Sequence, residues 1–276
     1  MDSLSETNAE LARINERNVD DFYRQFACIP GSEVLETEDV LRCYTGALHP
    51  VANIATRFLA TSDKFAQTVS DCTRYFRDKG CPFAVFLGPC SRPANAANVL
   101  SSLGYSLASS MPGMSIGSDS GLFTVRPTDG LEIREPSTEL EISEWIKTCS
   151  IGSNMPLQVL DLMRPLVQHP ENSSSRVRLF TAYIDRDPVG TSLLHLNDES
   201  GGIFCVSVLS EFRNQGIGAA VTARAVNYTR ESGCQFATLQ ASAMGEPVYR
   251  RLGFTCQGTF DLWMIPANQE NVINKE

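Results

Sequence analysis

Apolar positions along the chain recur with two different periods, and the switches between them mark its elements. ETNAELARINERNVDDFYRQF (6 to 26) has helical spacing. VANIATRFLA (51 to 60) reads as a strand, SDKFAQTVSDCTRYFRDKG (62 to 80) as a helix stopped by Gly80, and FAVFLGP (83 to 89) as a buried strand leading into a helix over 93 to 103. A second series opens with the strand LEIREP (131 to 136) and a helix from Ser137, whose hydroxyl is an N-cap candidate, to Cys149. PLQVLDLMRPLVQ has helical spacing that Pro165 should kink or end. RVRLFTAYID and PVGTSLLHLN read as a hairpin joined through Arg186 and Asp187. GGIFCVSVLS is nearly continuous in apolar residues, as a strand buried on both faces is. Ile217, Val221, Ala225 and Tyr228 form a helical stripe that ends at Gly233. FATLQAS then predicts a strand, EPVYRRLG a short helix, and FTCQGTFDLWMI a final strand pair or one long bent strand. Between the series, residues 109 to 130 are rich in Ser, Gly, Pro and Asp, the composition of a domain junction, with room for a strand that closes the first series.

The two series resemble each other. RDKGCPFA (77 to 84) leads through an apolar run to VLSSLGY (99 to 105), and RESGCQFA (230 to 237) leads through another to VYRRLGF (248 to 254). Both read as helix end, strand, short helix, then Leu-Gly-aromatic, which argues for two copies of one structural unit.

Composition narrows the chemistry. The chain has 276 residues, enough for two ordinary domains, with 42% hydrophobic and 20% charged residues. No apolar run approaches the ~20 residues that span a bilayer, and the N-terminus is polar and acidic, unlike a secretory signal or basic transit peptide. A soluble cytoplasmic protein with no membrane association is expected. Nine cysteines without a C-x-x-C pair read as reduced thiols, and His49, His169 and His195 have no second ligand at metal spacing, so no metal is expected. A net charge of -9 disfavours nucleic acid as a partner.

The chemistry concentrates after GGIFCVSVLS, where Arg213, Asn214, Gln215, Gly216, Ile217 and Gly218 carry the chain from a buried strand into a helix N-terminus. The first amides of a helix lack partners and the dipole there is positive, so a turn stripped of side chains at Gly216 and Gly218 can bring several amides against a pyrophosphate. A P-loop would need Gly-Lys-Ser/Thr where Gly218, Ala219 and Ala220 stand, and a dinucleotide fingerprint would want glycine at Val221.

With RNQGIGA (213 to 219) and YRRLGF (249 to 254) in this order, separated by a helix and one strand, residues 131 to 265 resemble the GNAT superfamily of acyl-CoA-dependent N-acetyltransferases. The resemblance implies an α/β (α+β) fold of two tandem units, each a mixed, mostly antiparallel twisted sheet flanked by helices: a degenerate domain over 1 to 120, a junction over 121 to 130 and a catalytic domain over 131 to 276. It implies acetyl-CoA as co-substrate, its pyrophosphate on the amides of Gln215, Gly216, Ile217, Gly218 and Ala219. Its pantetheine arm would lie beside the backbone of Val206 and Val208, with Ser242 as a further contact and an amide near Val208 polarising the thioester carbonyl. Tyr249 falls at the general-acid position. Ser242 and Gly245 depart from the family's Asn and Ala. Arg213 is read equally as a phosphate-facing cation or a turn residue.

No general base is assigned: His195, Asp198 and Glu199 lie near a strand end, and each reads first as a surface or turn residue. Cys205, inside a buried strand, reads as a small hydrophobe rather than a nucleophile. The first copy has LATSDKF where the second has its glycine loop, and Leu100 where the second has Tyr249. The expected activity is transfer of an acetyl group to a primary amine of a small molecule or peptide. A non-catalytic acyl-CoA-binding or sensing module is the alternative, and a scaffold that has lost both functions is a third reading.

Overall fold

The computed structural model describes residues 2–117, 128–168 and 176–266, with side chains from residue 7 onward. Helix α1 (Asp2–Arg24) precedes strands β1 (Glu33–Glu36), β2 (Leu41–Tyr44) and β3 (Ile54–Thr56), helix α2 (Phe65–Asp78), strand β4 (Ala84–Leu87), helix α3 (Ala96–Ser102) and strand β5 (Ser106–Gly117). The second series comprises β6 (Glu132–Arg134), α4 (Glu139–Ser153), α5 (Leu157–Asp161), α6 (Arg164–Gln168) and β7 (Val177–Ile184). It continues through β8 (Asp187–Leu196), β9 (Ser200–Val208), α7 (Ile217–Glu231), β10 (Phe236–Gln240), α8 (Glu246–Arg251) and β11 (Thr255–Met264).

Several local details depart from the sequence reading. The strand expected over 51 to 60 shrinks to β3, because Pro50–Ala52 forms a 3-10 turn and Arg57 takes a φ of 52°. β1 and β2, four residues each, are too short to show a period in the sequence. Thr138, not Ser137, caps α4: its side chain accepts from the Glu141 amide and the Glu141 carboxylate reaches back, a capping box. Pro165 sits in the first turn of α6, where its missing N–H costs nothing, and the break falls before it at Leu162 and Met163. The hairpin turn is Asp185 and Arg186, both with positive φ, one residue earlier than read. Residues 109–117 of the expected junction belong to β5, and 118–127 lie outside the described residues.

Packing divides the chain into two compact units. One holds Tyr23–Met111 and the chain from Gly258 on; the other holds the chain up to Phe22 and Pro112–Gln257. These units cross the halves expected from sequence, 1 to 120 and 131 to 276. In the first, the strands run β1-β2-β3-β4-β11, with β3 and β4 parallel and the other recorded pairs antiparallel. Its core gathers Phe58, Phe65, Val69, Phe76, Val85, Leu100 and Trp263. In the second, the order is β5-β10-β9-β8-β7-β6, with β9 and β10 parallel. Its core gathers Met114, Phe180, Leu194, Ile203, Val226, Leu239 and Phe254. α4 and α7 cover opposite faces of this sheet: Ser207 of β9 bonds the Cys149 carbonyl of α4, while Val206 and Val208 pack with Ile217 and Val221 of α7.

Each unit is therefore completed by chain from the other series. β5 follows α3, yet Gly113–Gly117 pairs with β10; β11 follows α8, yet Asp261–Trp263 pairs with β4.

The repeated octapeptides do the same work in both places. Gly80 and Gly233 end α2 and α7 with φ 65° and 83°, and Cys81 N–H and Cys234 N–H reach back to the carbonyls of Phe76 and Thr229. This is a Schellman closure. The Leu-Gly-aromatic segments repeat it: Tyr105 N–H bonds the Leu100 carbonyl and Phe254 N–H that of Tyr249. Leu100 and Tyr249 thus hold one backbone position in two copies and differ only in side chain.

Candidate active site

Strand β9 departs from regularity in its second half. Against β8 the pairing passes from Leu193 with Phe204 to Thr191 with Ser207, so β9 carries one extra residue, and Cys205 takes a φ of 52°. Such a bulge bends the strand and re-aims its edge. The Cys205 carbonyl is held by the Thr191 hydroxyl at 3.0 Å and the Cys149 thiol at 3.8 Å. On its other side β9 pairs with β10 only as far as Ile203 with Leu239. Past that point β10 turns away, Ala241 N–H bonding the Pro112 carbonyl at 2.8 Å. Among the described residues, the β10-facing edge of Phe204–Val208 has no strand partner. Val206 and Val208 lie on this open edge, and Ser242 lies just beyond the end of β10.

The chain leaves β9 through a short turn at Ser210–Phe212 and enters α7 by two left-handed residues, Asn214 with φ 63° and Gly216 with φ 83°. The amides of Gln215, Gly216, Ile217, Gly218 and Ala219 have no hydrogen-bond partner among the described residues. Five open donors at the N-terminus of a fifteen-residue helix constitute an anion site in waiting. The glycines divide the labour. Gly216 answers to its backbone angle, whereas a Cβ on Gly218 would find only Val208 Cγ2, at 3.7 Å. The fold itself makes no demand for glycine at 218.

Arg213 does not project into this space. Its Nε donates to the Val208 carbonyl at 3.2 Å and a terminal nitrogen to the Gly152 carbonyl at 3.0 Å. Of its two sequence readings, the structural one fits these contacts: Arg213 ties the loop to β9 and α4. Gly152 lets α4 approach, since a Cβ there would fall 2.2 Å from Ser207 Oγ. Thr128 clamps the loop from the other side, its hydroxyl 2.6 Å from the Gln215 carbonyl. Thr128 carries no sequence signal, because a side chain bonding a distant carbonyl leaves no periodic trace.

Tyr249 sits on α8 with its ring in the core beside Phe254 and a residue exposure of 7%. Its hydroxyl forms no hydrogen bond among the described residues and is not sealed from solvent. Burial pushes its pKa up to about 12, so the phenol keeps its proton throughout the neutral range. Gly245 is explained here: a Cβ would lie 2.8 Å from Tyr249 Cε2, so the ring occupies the space an alanine would need. Ser242 Oγ accepts from Gly245 N–H at 3.1 Å, which leaves its own proton to give.

The groups considered as bases lie elsewhere. His195, Asp198 and Glu199 are at the β8–β9 turn, at the Ser200 end of β9, while the glycine loop follows Val208. His195 is fully buried, its Nδ1 3.4 Å from Asn18 Oδ1, and burial lowers its pKa to about 4. Asp198 and Glu199 pair with Arg176 and Arg17. Cys205 is not poised as a nucleophile: a hydrogen bond with the Cys149 thiol, and then burial, raise its pKa well above that of an ordinary thiol. No cluster of metal-ligating side chains occurs among the described residues.

A sequence model of the acetyltransferase (GNAT) family matches residues 141–254, which span α4 to the Leu-Gly-Phe segment. The chain carries a GNAT acetyltransferase domain. The match covers β9, the glycine loop, α7, β10 and Tyr249 together. The whole chain is similar in fold to a GCN5-related N-acetyltransferase from Kribbella flavida, with a TM-score of 0.70 at 17% identity, covering 94% of this chain and 96% of that one. It is also similar to a GCN5-related N-acetyltransferase from Sphaerobacter thermophilus (TM-score 0.59, 17% identity, 84% and 75% covered). A tandem GNAT protein from the clavulanic acid biosynthesis pathway is similar across both series (TM-score 0.56, 11% identity, 85% and 83% covered). A search of curated proteins finds no match.

The first unit lacks the corresponding opening. Asp63 stands fourteen residues before Arg77, as Gly216 stands before Arg230, and Phe65 takes the place of Gly218. The amides of Lys64 and Phe65 are already bonded to the Thr61 carbonyl, and Asp63 accepts from Thr61 and from its own backbone. Beyond β3, Arg92 N–H bonds the Phe58 carbonyl at 2.7 Å. At the helix start corresponding to the open one in the GNAT domain, two amides are turned to the Thr61 carbonyl and an acidic side chain, Asp63, stands beside them.

Proposed function

We propose that the protein transfers an acyl group, acetyl foremost, from its coenzyme A thioester to a primary amine, at a single site in the GNAT domain. The carrying observation is the row of five open amides from Gln215 to Ala219, beside the unpaired edge of β9 and within the same domain as the open phenol of Tyr249. The pyrophosphate would be received by those amides, with Gly218 leaving room for it. The pantetheine arm would extend along Phe204–Val208 as an added strand. Val206 and Val208 would meet it through their backbone, and the Ser242 hydroxyl would donate to it.

In the chemical step the neutral amine attacks the thioester carbonyl, a C–N bond forms, and the tetrahedral oxyanion takes a backbone N–H near Val208. Collapse breaks the C–S bond. The departing sulfur accepts a hydrogen bond and then a proton from Tyr249, while the nitrogen's surplus proton passes to solvent and the phenolate is reprotonated. A coenzyme A thiol with pKa near ~8.5 leaves readily, so a phenol held neutral suffices as donor late in the step. No acyl-enzyme forms, in keeping with the raised pKa of Cys205. The setting proposed is cytoplasmic, where acetyl-CoA and reduced thiols coexist.

The test presents the full-length protein with acetyl-CoA and, in turn, a polyamine, an amino sugar, an amino acid and a peptide N-terminus, and measures released thiol. Release that depends on the amine supports the proposal. Tight coenzyme binding without release across the set would instead mark a binding module.

A further inference from the structure

We infer that the first helix of the chain is the element that holds β9 and β10 apart, with Asn15 and Phe22 as positioning residues of the coenzyme slot. This rests on the coenzyme reading above. The two strands are last paired at Ile203 and Leu239, and α1 grips both immediately around that point. On the β10 side, Asn15 Nδ2 donates to the carbonyls of Leu239 and of Met114 in β5, each at 3.3 Å. Its Oδ1 accepts from Gln240 Nε2 at 2.7 Å. On the β9 side, the Phe22 ring stacks on Phe204 at 4.4 Å and 17°. Phe204 is the first unpaired residue of the open edge and precedes the bulge at Cys205.

Between these grips Asn18 Nδ2 donates to the carbonyls of His195 and Ser200, each at 3.2 Å, and Gly202 is cut to fit it: a Cβ there would lie 1.9 Å from Asn18 Oδ1. Asn15 and Asn18 are 1% and 0% exposed. Buried amides whose nitrogens donate to strand carbonyls fix a helix in one register, since a slip leaves those groups unsatisfied. A helix encoded before the first series thereby sets the spacing on which the second series depends. Without the stack, β9 is free to close toward β10 past Ile203, and the slot is competent for only part of the time.

The experiment compares the full-length protein with Phe22→Ala, Phe22→Leu and Asn15→Ser by calorimetric titration with acetyl-CoA, thermal melting and amide hydrogen exchange. If Phe22→Ala leaves the slot competent about one-tenth of the time, the apparent Kd rises about tenfold. Faster exchange is expected at Phe204–Val208, with the β7–β8 hairpin unchanged. Phe22→Leu, which keeps the bulk, should recover most of the affinity. Asn15→Ser, which keeps a smaller polar group, should weaken binding through β10 and serves if Phe22→Ala fails to fold. Unchanged Kd and unchanged exchange at Phe204–Val208 in variants with lowered melting temperature would show α1 to be only structural and overturn the inference. Absence of binding by the unaltered protein would overturn the coenzyme reading itself, and this inference with it.

Discussion

Replacing Gly218 by leucine separates the ligand's need for glycine from the protein's. The backbone there is helical, and a Cβ meets only Val208 Cγ2 at ordinary contact distance. Leucine is a better helix former than glycine by up to about 1 kcal/mol, so the melting temperature should hold or rise slightly. The ligand feels the opposite. A side chain on the second residue of α7 projects from a row of five open amides and displaces the pyrophosphate from its donors. Losing two hydrogen bonds to a charged group, at about 1.5–3 kcal/mol each, removes about 3–6 kcal/mol. That corresponds to ~10²- to ~10⁴-fold weaker binding. Acetyl-CoA titration paired with a melt of the same sample reads both quantities. An affinity within about threefold of the unaltered protein, with the melt unperturbed, would refute the pyrophosphate reading of the loop.

Tyr249→Phe should lower amine-dependent thiol release ~10²-fold or more with coenzyme affinity nearly unchanged, since the ring stays packed and only the hydroxyl is lost; unchanged turnover would remove Tyr249 from the mechanism. Cys205→Ala should retain turnover within a few-fold, and loss of all activity would revive a covalent acyl-cysteine. His195 carries a pH signature: its folded pKa is depressed from 6.5 to about 4, chiefly by burial, so between those values the unfolded chain binds more protons. The resulting stability is fully present above pH ~6.5 and is lost as pH falls toward ~4, up to about 3 kcal/mol. Denaturant melts across that window should show the decline, and His195→Gln should flatten it.

The order of elements and the position of the glycine loop were legible in the sequence because each rests on local chemistry: a Schellman glycine, a helical stripe, a strand feeding a helix N-terminus. The equivalence of Leu100 and Tyr249, read from spacing alone, holds at the level of single hydrogen bonds. What stayed hidden is partnership. β5 and β11 have ordinary strand patterns, and nothing in a strand's own residues says which strand lies beside it, so the exchange by which each completes the other unit left no mark. The placement of α1 is hidden in the same way, and Gly202, a glycine inside a strand, is its one local mark of close approach. The bulge at Cys205 is invisible because it is a property of register between β8 and β9. Ser137 and Thr138 were equally good caps by type, and only the reach of Glu141 decides between them.

One of the two similar units is proposed to take coenzyme A on its open amides, while the other, with Asp63 and Phe65 at its helix start and two amides turned to the Thr61 carbonyl, does not. Calorimetric titration of the full-length protein with acetyl-CoA reads this directly as a stoichiometry. One site per chain is expected, and a second site, or none, would contradict this assignment.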